Sequence, residues 1–277
     1  MILIKLISKK IESKTENFKD CEDEIVFNNN FVAVIDGTTT KGEEDFYLKP
    51  SGKIAANLIS KTIKHFDKKI TLKKAIQTLS EEIKWFYKTK GVLNIVKKNP
   101  KKRLTASVII YSKFHDEVWM IGDCQCIINN KRIENSKKID EIMSKARSLF
   151  LELEMLCENK TVEEIRINDT GRDFIKPLLN RQKALQNINH RFGYEVVDGF
   201  KIDINSVKRI KRKKQYQTII LASDGHPKLF DTLEKSEEYL KEILRKDPLC
   251  FKHHKSTKGL KQNQLSFDDR AYIKFKI

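Results

Sequence analysis

The chain has 277 residues, of which 39% are hydrophobic and 34% are charged, so it can form a substantial core. No apolar run approaches the ~18 residues that a membrane-spanning helix needs, and no secretion signal is recognisable, so we expect neither a membrane protein nor a secreted one. The five scattered cysteines indicate reduced thiols and a cytoplasmic protein, and the net charge of +17 leaves an anionic partner open.

The first third of the chain predicts strands followed by two helices. A strand is expected over 2–8, and two apolar runs separated by three asparagines predict a hairpin over 24–34. Residues 50–53 begin a helix, and a second helix begins near Leu72, because apolar residues recur at helical spacing. These apolar positions are Ile54, Leu58, Ile59, Thr62, Ile63 and Phe66 in the first helix and Ala75, Leu79, Ile83 and Phe86 in the second.

The middle of the chain predicts further strands. Residues 104–111 are rich in β-branched side chains, and 117–121 and 124–128 lie on either side of Gly122-Asp123, which predicts a hairpin or meander of antiparallel strands. In such a strand the thiols of Cys124 and Cys126 share one face, opposite the side chain of Gln125.

The remaining elements are mostly helices, with strands near the C-terminus. A long amphipathic helix is predicted over 137–158, a shorter one over 176–185 with Pro177 in its first turn, and a third over 236–244. The residues expected to face inward from the long helix are Ile139, Ile142, Met143, Ala146, Leu149, Leu153 and Leu156. Strands are predicted over 200–204, 217–222 and 271–275.

This order of elements favours an antiparallel α+β fold, because the strands cluster without strict alternation with helices. No internal repeat or low-complexity linker divides the chain. We therefore expect a single domain over 1–277.

Short acidic stretches stand far apart in the chain, and most of them adjoin predicted strands. They are Glu22-Asp23, Asp36-Gly37, Asp224 with its neighbours Ser223 and Gly225, and Asp268-Asp269. A carboxylate at the end of a buried strand is costly unless a positive group meets it. Carboxylates that converge from remote strands suit a hard divalent cation, so the sequence suggests a metal centre that acts on a phosphate.

These stretches, in this order, resemble the motifs of the metal-dependent protein phosphatases, the protein phosphatase 2C-like family. The resemblance extends from residue 22 to residue 275. The matching segments are 21–23, 32–37, 51–56, 104–110, 120–125, 221–225 and 268–271. The resemblance implies a four-layer α-β-β-α sandwich with two central antiparallel sheets, which agrees with the order of the predicted elements.

The resemblance also implies a set of metal ligands. Asp36 would bridge two Mg²⁺ or Mn²⁺ ions, and the carbonyl oxygen of Gly37 would be a further ligand. Asp224 and Asp268 would bind one ion, and Asp269 exchanges roles with Asp268 if the alignment shifts by one residue. Asp36 and Asp224 would thus carry catalysis, with a water between the ions as the nucleophile.

Other acidic residues complete this implied set. Glu22 or Asp23 would reach the other ion through water, and Asp123 would contribute to a third, weaker ion. The expected cofactors are therefore two or three Mg²⁺ or Mn²⁺ ions.

The sequence departs from the family pattern at two positions. Thr38 stands where the family often has a histidine, and Phe18 stands where it has an arginine that grips the phosphate. His226 or a metal-bound water is a candidate for the missing acid, and Lys19, Arg270 and Arg103 are candidates for the missing cation. Residues 160–215 match no family motif and form a flap or insertion in this interpretation.

Three functions follow from these observations. The first is a cytoplasmic Mg²⁺- or Mn²⁺-dependent phosphatase that acts on phosphoserine or phosphothreonine in a phosphorylated protein. The second, favoured by Thr38 and Phe18, is a catalytically weak relative that binds phosphoproteins. The third, nucleic-acid binding, rests on charge alone, and the basic runs at 97–103 and 208–214 lack the interleaved aromatic residues of single-strand platforms.

Overall fold

The computed structural model describes residues 3–39, 44–211 and 218–277. Its strands are β1 (Lys5–Glu12), β2 (Asp23–Phe27), β3 (Phe31–Gly37), β4 (Ala106–Ser112), β5 (Glu117–Ile121), β6 (Gln125–Ile128), β7 (Lys131–Ile133), β8 (Lys208–Lys211), β9 (Thr218–Ala222) and β10 (Arg270–Lys276). Its α-helices are α1 (Ser51–Lys64), α2 (Leu72–Thr89), α3 (Leu93–Lys98), α4 (Lys138–Cys157), α5 (Val162–Ile167), α6 (Thr170–Arg181) and α7 (Leu233–Lys246). None of the helices among these residues is long and apolar enough to span a bilayer.

The strands form two five-stranded sheets in which every neighbouring pair is antiparallel. The first sheet has the order β1-β10-β9-β6-β7, and the second has the order β2-β3-β4-β5-β8. Helices α1 and α2 pack on the outer face of the second sheet, and Leu229 and Leu233 pack on the outer face of the first. The predicted α+β sandwich with two antiparallel sheets is therefore confirmed.

Strand β3 lies between β2 and β4 in the second sheet and is buried on both faces. Val32 and Val34 point between the sheets, whereas Phe31, Ala33 and Ile35 point toward α1 and α2. Because side chains alternate along a strand, burial on both faces requires a continuous apolar run. That run ends at Asp36, so the carboxylate emerges where the core stops.

Several sequence predictions are confirmed closely. The hairpin of β2 and β3 turns at Asn28, whose side-chain oxygen accepts hydrogen bonds from the backbone N–H groups of Asn30 and Phe31 at 2.9 and 2.8 Å. Both predicted helices, α1 and α2, are present, and their apolar faces lie on the second sheet. The prediction for 2–8 holds in part, because β1 begins at Lys5, and residue 2 lies outside the described residues.

The predicted hairpin at Gly122-Asp123 is wrong. Strand β5 pairs with β4 and β8 in the second sheet, whereas β6 pairs with β7 and β9 in the first. Gly122 adopts a φ of 94° at this crossing, and a Cβ atom there would lie 2.2 Å from Ser107 Oγ. The alternation predicted for Cys124 to Cys126 is nevertheless correct, because both thiols lie between the sheets while Gln125 binds backbone carbonyls on the other face.

Helix α4 covers the predicted range except its first and last residues, but it buries a different face. The side chains of Ile142, Leu149, Leu153 and Leu156 are exposed, although that of Met143 is buried as predicted. The buried face carries polar residues, namely Ser144, Arg147, Ser148 and Glu154, together with Leu151. Arg147 is fully buried and pairs with Asp169 at the start of α6, so the inward face of the helix is the one that carries this charge.

The segment that follows α4 contains most of the remaining errors. Helix α6 begins at Thr170 rather than near Lys176, because Asp169 caps it by accepting the N–H of Arg172 at 2.8 Å. Pro177 consequently lies inside the helix. The predicted strand at 200–204 is absent from the described residues, since Phe200 and Ile202 pack as irregular backbone against α2.

The remaining differences concern the neighbourhood of β9. Part of the basic run at 208–214 forms strand β8, for which no strand was predicted, and residues 212–214 lie outside the described part of the chain. Strand β9 matches the prediction from Thr218 onward, and residue 217 is not described. The predicted helix over 236–244 and the closing strand over 271–275 are confirmed as α7 and β10.

Candidate metal centre

The antiparallel pairing of the second sheet places polar side chains side by side at one end of its strands. Asp23 of β2 is opposite Asp36 of β3, and Asp36 is opposite Ser107 of β4. Asp123 lies at the crossing between the sheets, and Asp224 follows β9 of the first sheet. Residues from both sheets therefore meet at one edge of the sandwich.

Three of these carboxylates form a compact group. One oxygen atom from each of Asp36, Asp123 and Asp224 lies within 4.8 Å of the others, and we call these residues the acidic trio. Within the described ranges, the carboxylates of Asp36 and Asp224 have no hydrogen bond or ion pair with any protein group. Two unpartnered carboxylates that face each other fit a divalent cation, because hard cations take oxygen ligands.

The electrostatic environment of the trio is strongly acidic. Burial and the neighbouring carboxylates of Asp224 and Asp23 raise the pKa of Asp36 well above its usual range. Although the side chain of Asp224 reaches solvent, desolvation by the surrounding protein and the charges of Asp123 and Asp268 raise its pKa to about 7. The arrangement therefore favours any positive charge that enters between these groups.

Asp123 differs from the other two members because it has partners in the protein. Ser107 donates a hydrogen bond to its Oδ1, and the ammonium group of Lys137 lies 2.6 Å from its Oδ2. Burial alone would lower the pKa of Lys137, but Asp123 and Asp140 raise it, so the ammonium group stays charged. Sequence reasoning missed Lys137, since it matches no motif and lysine is abundant throughout the chain.

Asp23 links the two sheets behind the trio. The hydroxyl group of Ser223 donates to Asp23 Oδ2 at 2.6 Å and accepts from the N–H of Ala271 at 2.8 Å. Asp23 is buried, and burial is the largest cause of its raised pKa, although the Ser223 hydrogen bond acts in the other direction. Asp23 therefore joins β2 of the second sheet to the β9–β10 end of the first.

Asp268 and Asp269 have distinct surroundings. Asp268 pairs with the ammonium group of Lys258, and its charge also raises the pKa of Asp224. Asp269 is buried and accepts the N–H of Glu22 at 3.1 Å as well as the N–H and Nζ of Lys14 at 2.8 and 3.0 Å. Lys14 and Lys258, which sequence reasoning also missed, thus bring positive charge to this side of the centre.

Glu22 and Gly37 lie where the start of α1 meets the strand ends. Thr39 donates its hydroxyl group to the carboxylate of Glu22 and accepts the N–H of Gly52 at 2.8 Å. A Cβ atom on Gly37 would lie 2.2 Å from the carbonyl oxygen of Gly52, and one on Gly52 would lie 2.4 Å from Glu22 Oε1. Glycine at both positions lets the helix approach this closely.

The residues considered as substitutes for the missing histidine and arginine either have other partners or are exposed to solvent. Lys19 is exposed. Arg103 pairs with Asp198 at 3.1 Å, and Arg270 is held by Glu12 and Glu237. His226 is buried, with its Nε2 2.9 Å from Glu237 Oε1.

Glu237 connects Arg270 and His226, and its replacement tests this buried network. Burial alone would raise the pKa of Glu237, but the His226 hydrogen bond and the charge of Arg270 lower it from 4.5 to about 2. A lowered carboxyl pKa stabilises the fold above pH 4.5, and this contribution is lost as the pH falls toward 2.

We therefore expect Glu237→Gln to lower the free energy of unfolding by about 3 kcal/mol at pH 7, measured by urea denaturation. The difference from the unsubstituted protein should shrink as the pH is lowered from 5 toward 2. Glu238→Gln, on the exposed side of the same helix, is the matched control and should change little. A difference that is independent of pH would contradict the role given to the Glu237 charge.

No family model matches the chain, and no curated protein matches it in sequence. Solved structures do match. The catalytic domain of the serine/threonine protein phosphatase PstP, solved with two manganese ions, is 11% identical at a TM-score of 0.50, and the alignment covers 100% of both chains.

Two further structures have similar values. PstP/Ppp of Mycobacterium tuberculosis is 12% identical at a TM-score of 0.49, over 100% of this chain and 99% of that one. Stp1 of Staphylococcus aureus is 17% identical at a TM-score of 0.46, over 100% and 97%. The sheet orders and the alignment with the PstP catalytic domain over its full length lead to one conclusion: the chain has the fold of the protein phosphatase 2C-like serine/threonine phosphatases.

Proposed function

We propose that the chain is a Mg²⁺- or Mn²⁺-dependent phosphatase that hydrolyses phosphoserine or phosphothreonine in proteins. The observation that carries the proposal is the acidic trio, in which Asp36 and Asp224 lack any partner among the described residues and face each other across less than 4.8 Å. Buried or crowded carboxylates normally have partners, so this pair is arranged for a ligand that the protein itself does not supply.

The proposed metal ligands are those expected from the sequence, with Asp36 and Asp224 as the principal ones. Asp268, Asp123 and the carbonyl oxygen of Gly37 would add oxygen donors. The other contributors in the proposal are Glu22, Asp23 and Asp269, which hold the surrounding backbone in place through the hydrogen bonds described above. When bound, two divalent cations supply a water of lowered pKa and neutralise charge on the phosphoryl oxygens.

The residues of the chain perform the remaining tasks. Lys137 forms an ion pair with Asp123 of the trio, and the ammonium group of Lys14 lies 3.6 Å from the carboxylate of Glu22. We propose that these ammonium groups orient the phosphoryl oxygens. We favour them over Arg270, which pairs with Glu12 and Glu237 rather than with carboxylates of the metal centre, and we keep Lys19 as an exposed alternative. Thr38 cannot donate a proton near neutral pH, and His226 is bonded to Glu237, so we assign no side chain as the acid.

The proposal is tested by the hydrolysis of a generic aryl phosphate and of a phosphoserine peptide by the purified protein, with Mn²⁺, with Mg²⁺ and with excess EDTA. We expect turnover with either cation and none with EDTA. Binding of the peptide without turnover would favour the alternative function, a phosphoprotein-binding module, for which Thr38 and Phe18 are the motivation. Turnover that is unaffected by EDTA would contradict the proposed mechanism.

Metal binding should also be visible as stabilisation of the fold. A ligand at about 100 times its dissociation constant stabilises the native state by about 2.7 kcal/mol, which corresponds to a rise in Tm of about 5 °C for a chain of this size. We expect this rise on titration with MnCl₂ in differential scanning fluorimetry, and its reversal by EDTA. An unchanged Tm over the millimolar range would argue against a site at the trio.

We further propose that residues 1–277 form one domain in the cytoplasm, with a flap or insertion over 160–215 beside the centre, of which 208–211 form strand β8 and 212–215 lie outside the described residues. The five cysteines without zinc-site spacing support the reducing compartment. Support for the flap comes from the backbone bridge between Val197 and Ala106, which ties this segment to β4 next to Ser107.

A further inference from the structure

A polar pocket of about 300 Å³ lies between the start of α4 and the loop at 190–195. Its walls include Gly122, Lys137, Lys138, His190, Arg191 and Glu195. The loop is a defined turn, since Gly193 donates its N–H to the carbonyl of His190 at 2.8 Å and a Cβ on Gly193 would lie 2.2 Å from the carbonyl oxygen of Ile188. The turn at 190–193 therefore gives the pocket an ordered wall.

The pocket adjoins the acidic trio. Gly122 immediately precedes Asp123, and Lys137, which lines the pocket, is the residue whose ammonium group binds Asp123 at 2.6 Å. The same ammonium group lies 5.1 Å from the centroid of the Tyr194 ring, another pocket residue. The pocket and the trio thus lie on either side of Lys137, and a peptide bound at the trio can place a neighbouring side chain in the pocket.

The pocket carries a surplus of positive charge. Lys137 is neutralised by Asp123, but Lys138 and Arg191 are exposed and form no ion pair with any carboxylate in the ranges 3–39, 44–211 and 218–277. Arg191 lies over the ring of Phe192 at 4.6 Å, which orders its side chain without neutralising it. Glu195 is the one acidic residue among those that line the pocket.

We infer that this pocket binds an acidic side chain of the phosphoprotein substrate, carboxylate or phosphorylated, within a few residues of the phosphorylated residue at the trio. The inference rests on the proposed function and adds a substrate class to it, namely phosphopeptides with acidic neighbours. Most lysines of so basic a chain are simply solvated. Lys138 and Arg191 differ because they converge, unpaired, on a concave site next to the trio.

The experiment compares two phosphoserine peptides that differ only in carrying glutamate or glutamine at the flanking positions. We expect the unsubstituted protein to hydrolyse the glutamate peptide with a kcat/KM about tenfold higher, mainly through KM, since two exposed charge contacts contribute about that much. The double variant Lys138→Gln/Arg191→Gln should lose this preference and keep its activity on a generic aryl phosphate. An equal kcat/KM for both peptides with the unsubstituted protein would overturn the inference.

Two further variants test whether the lost preference for the glutamate peptide comes from the pocket and not from partial unfolding of the protein. Lys241→Gln/Arg245→Gln removes the same charge from exposed positions of α7 and should retain the preference. Glu195→Gln removes the acidic residue of the pocket and should increase the preference about twofold to threefold. A preference that disappears in the α7 variant, or that is unchanged in Glu195→Gln, would count against the pocket.

Two further measurements separate this inference from the proposed function and from binding of a free anion. Fluorescence anisotropy with both peptides in EDTA reports binding without turnover, so a preference for glutamate there supports the pocket even in a protein that proves inactive. Equal hydrolysis of both peptides would support the phosphatase and reject the pocket. Inhibition of aryl phosphate hydrolysis by inorganic phosphate should be the same in the double variant, and a weakened inhibition would assign the pocket to free phosphate instead.

Discussion

Asp36→Asn should reduce the hydrolysis of an aryl phosphate in saturating Mn²⁺ by about 10³-fold or more, and Asp224→Asn should have a comparable effect. Each substitution replaces a negative oxygen donor by a neutral amide at the centre of the acidic trio. The loss of one well-placed electrostatic contact in a transition state lowers the rate by about 10²–10³-fold, and the loss of a ligand that holds the cations should exceed that. Steady-state kinetics of both variants in Mn²⁺ measure the effect.

A second readout distinguishes loss of the metal site from loss of the fold. Asp36 is crowded by other carboxylates, and its charge has no compensating partner among the described residues. Asp36→Asn removes this repulsion, so the metal-free variant should be as stable as the unsubstituted protein, or more stable by about 1 kcal/mol. The rise in Tm with MnCl₂ should disappear in the variant.

Asp173→Asn, at an exposed position in the first turn of α6, is the matched control and should leave both activity and metal response intact. Equal rates for Asp36→Asn and the unsubstituted protein would locate the hydrolysis elsewhere. A metal-free variant that is unfolded would show that Asp36 serves the fold instead of the cation.

The features that sequence reasoning predicted correctly are those set by local patterns. The continuous apolar run of β3 and the asparagine turn before it specify a strand buried on both faces, and Asp36 stands where that run ends. The antiparallel register then places Asp23 opposite Asp36 without further information. The resemblance to the phosphatase family, drawn from short motifs in order, is confirmed at the level of the fold.

The errors concern contacts between residues that are remote in sequence. Alternation along β5 and β6 is the same whether the two strands pair with each other or lie in different sheets, so the crossing at Gly122 could not be predicted. The lysine residues beside the metal centre could not be recognised in the sequence either. Lys14, Lys137 and Lys258 belong to a chain with 55 lysines and arginines, and only the folded backbone distinguishes them from solvated ones.

The face of α4 was mispredicted for the same reason. The exposed residues Ile142, Leu149, Leu153 and Leu156 recur at helical spacing, so apolar periodicity alone predicts that their face is buried. The competing interaction is the pairing of Arg147 with Asp169, which are 22 residues apart. A buried charge needs its partner, so the face that carries Arg147 lies against Asp169.

Arg147→Met should therefore lower the free energy of unfolding by about 3–5 kcal/mol, the range for removal of one partner from a buried ion pair. The Arg147 side chain is fully buried, and its guanidinium group contacts both carboxylate oxygens of Asp169, with the shortest distance at 2.7 Å. It also donates to the carbonyl oxygens of Leu249, Cys250 and Ser256 at 2.8, 3.3 and 3.2 Å. Methionine fills much of the volume but leaves a buried carboxylate and three carbonyl groups without these donors.

Urea denaturation measures the loss, and three comparisons identify its cause. Arg147→Lys keeps the charge without the planar fork, so we expect an intermediate loss. Arg181→Met, at an exposed position of α6, should change the stability by less than about 0.5 kcal/mol. In Arg147→Met/Asp169→Asn the carboxylate is no longer charged, so the double variant should lose less stability than the sum of the losses in the two single variants. A loss equal to that sum would mean that the two side chains do not stabilise the protein as a pair.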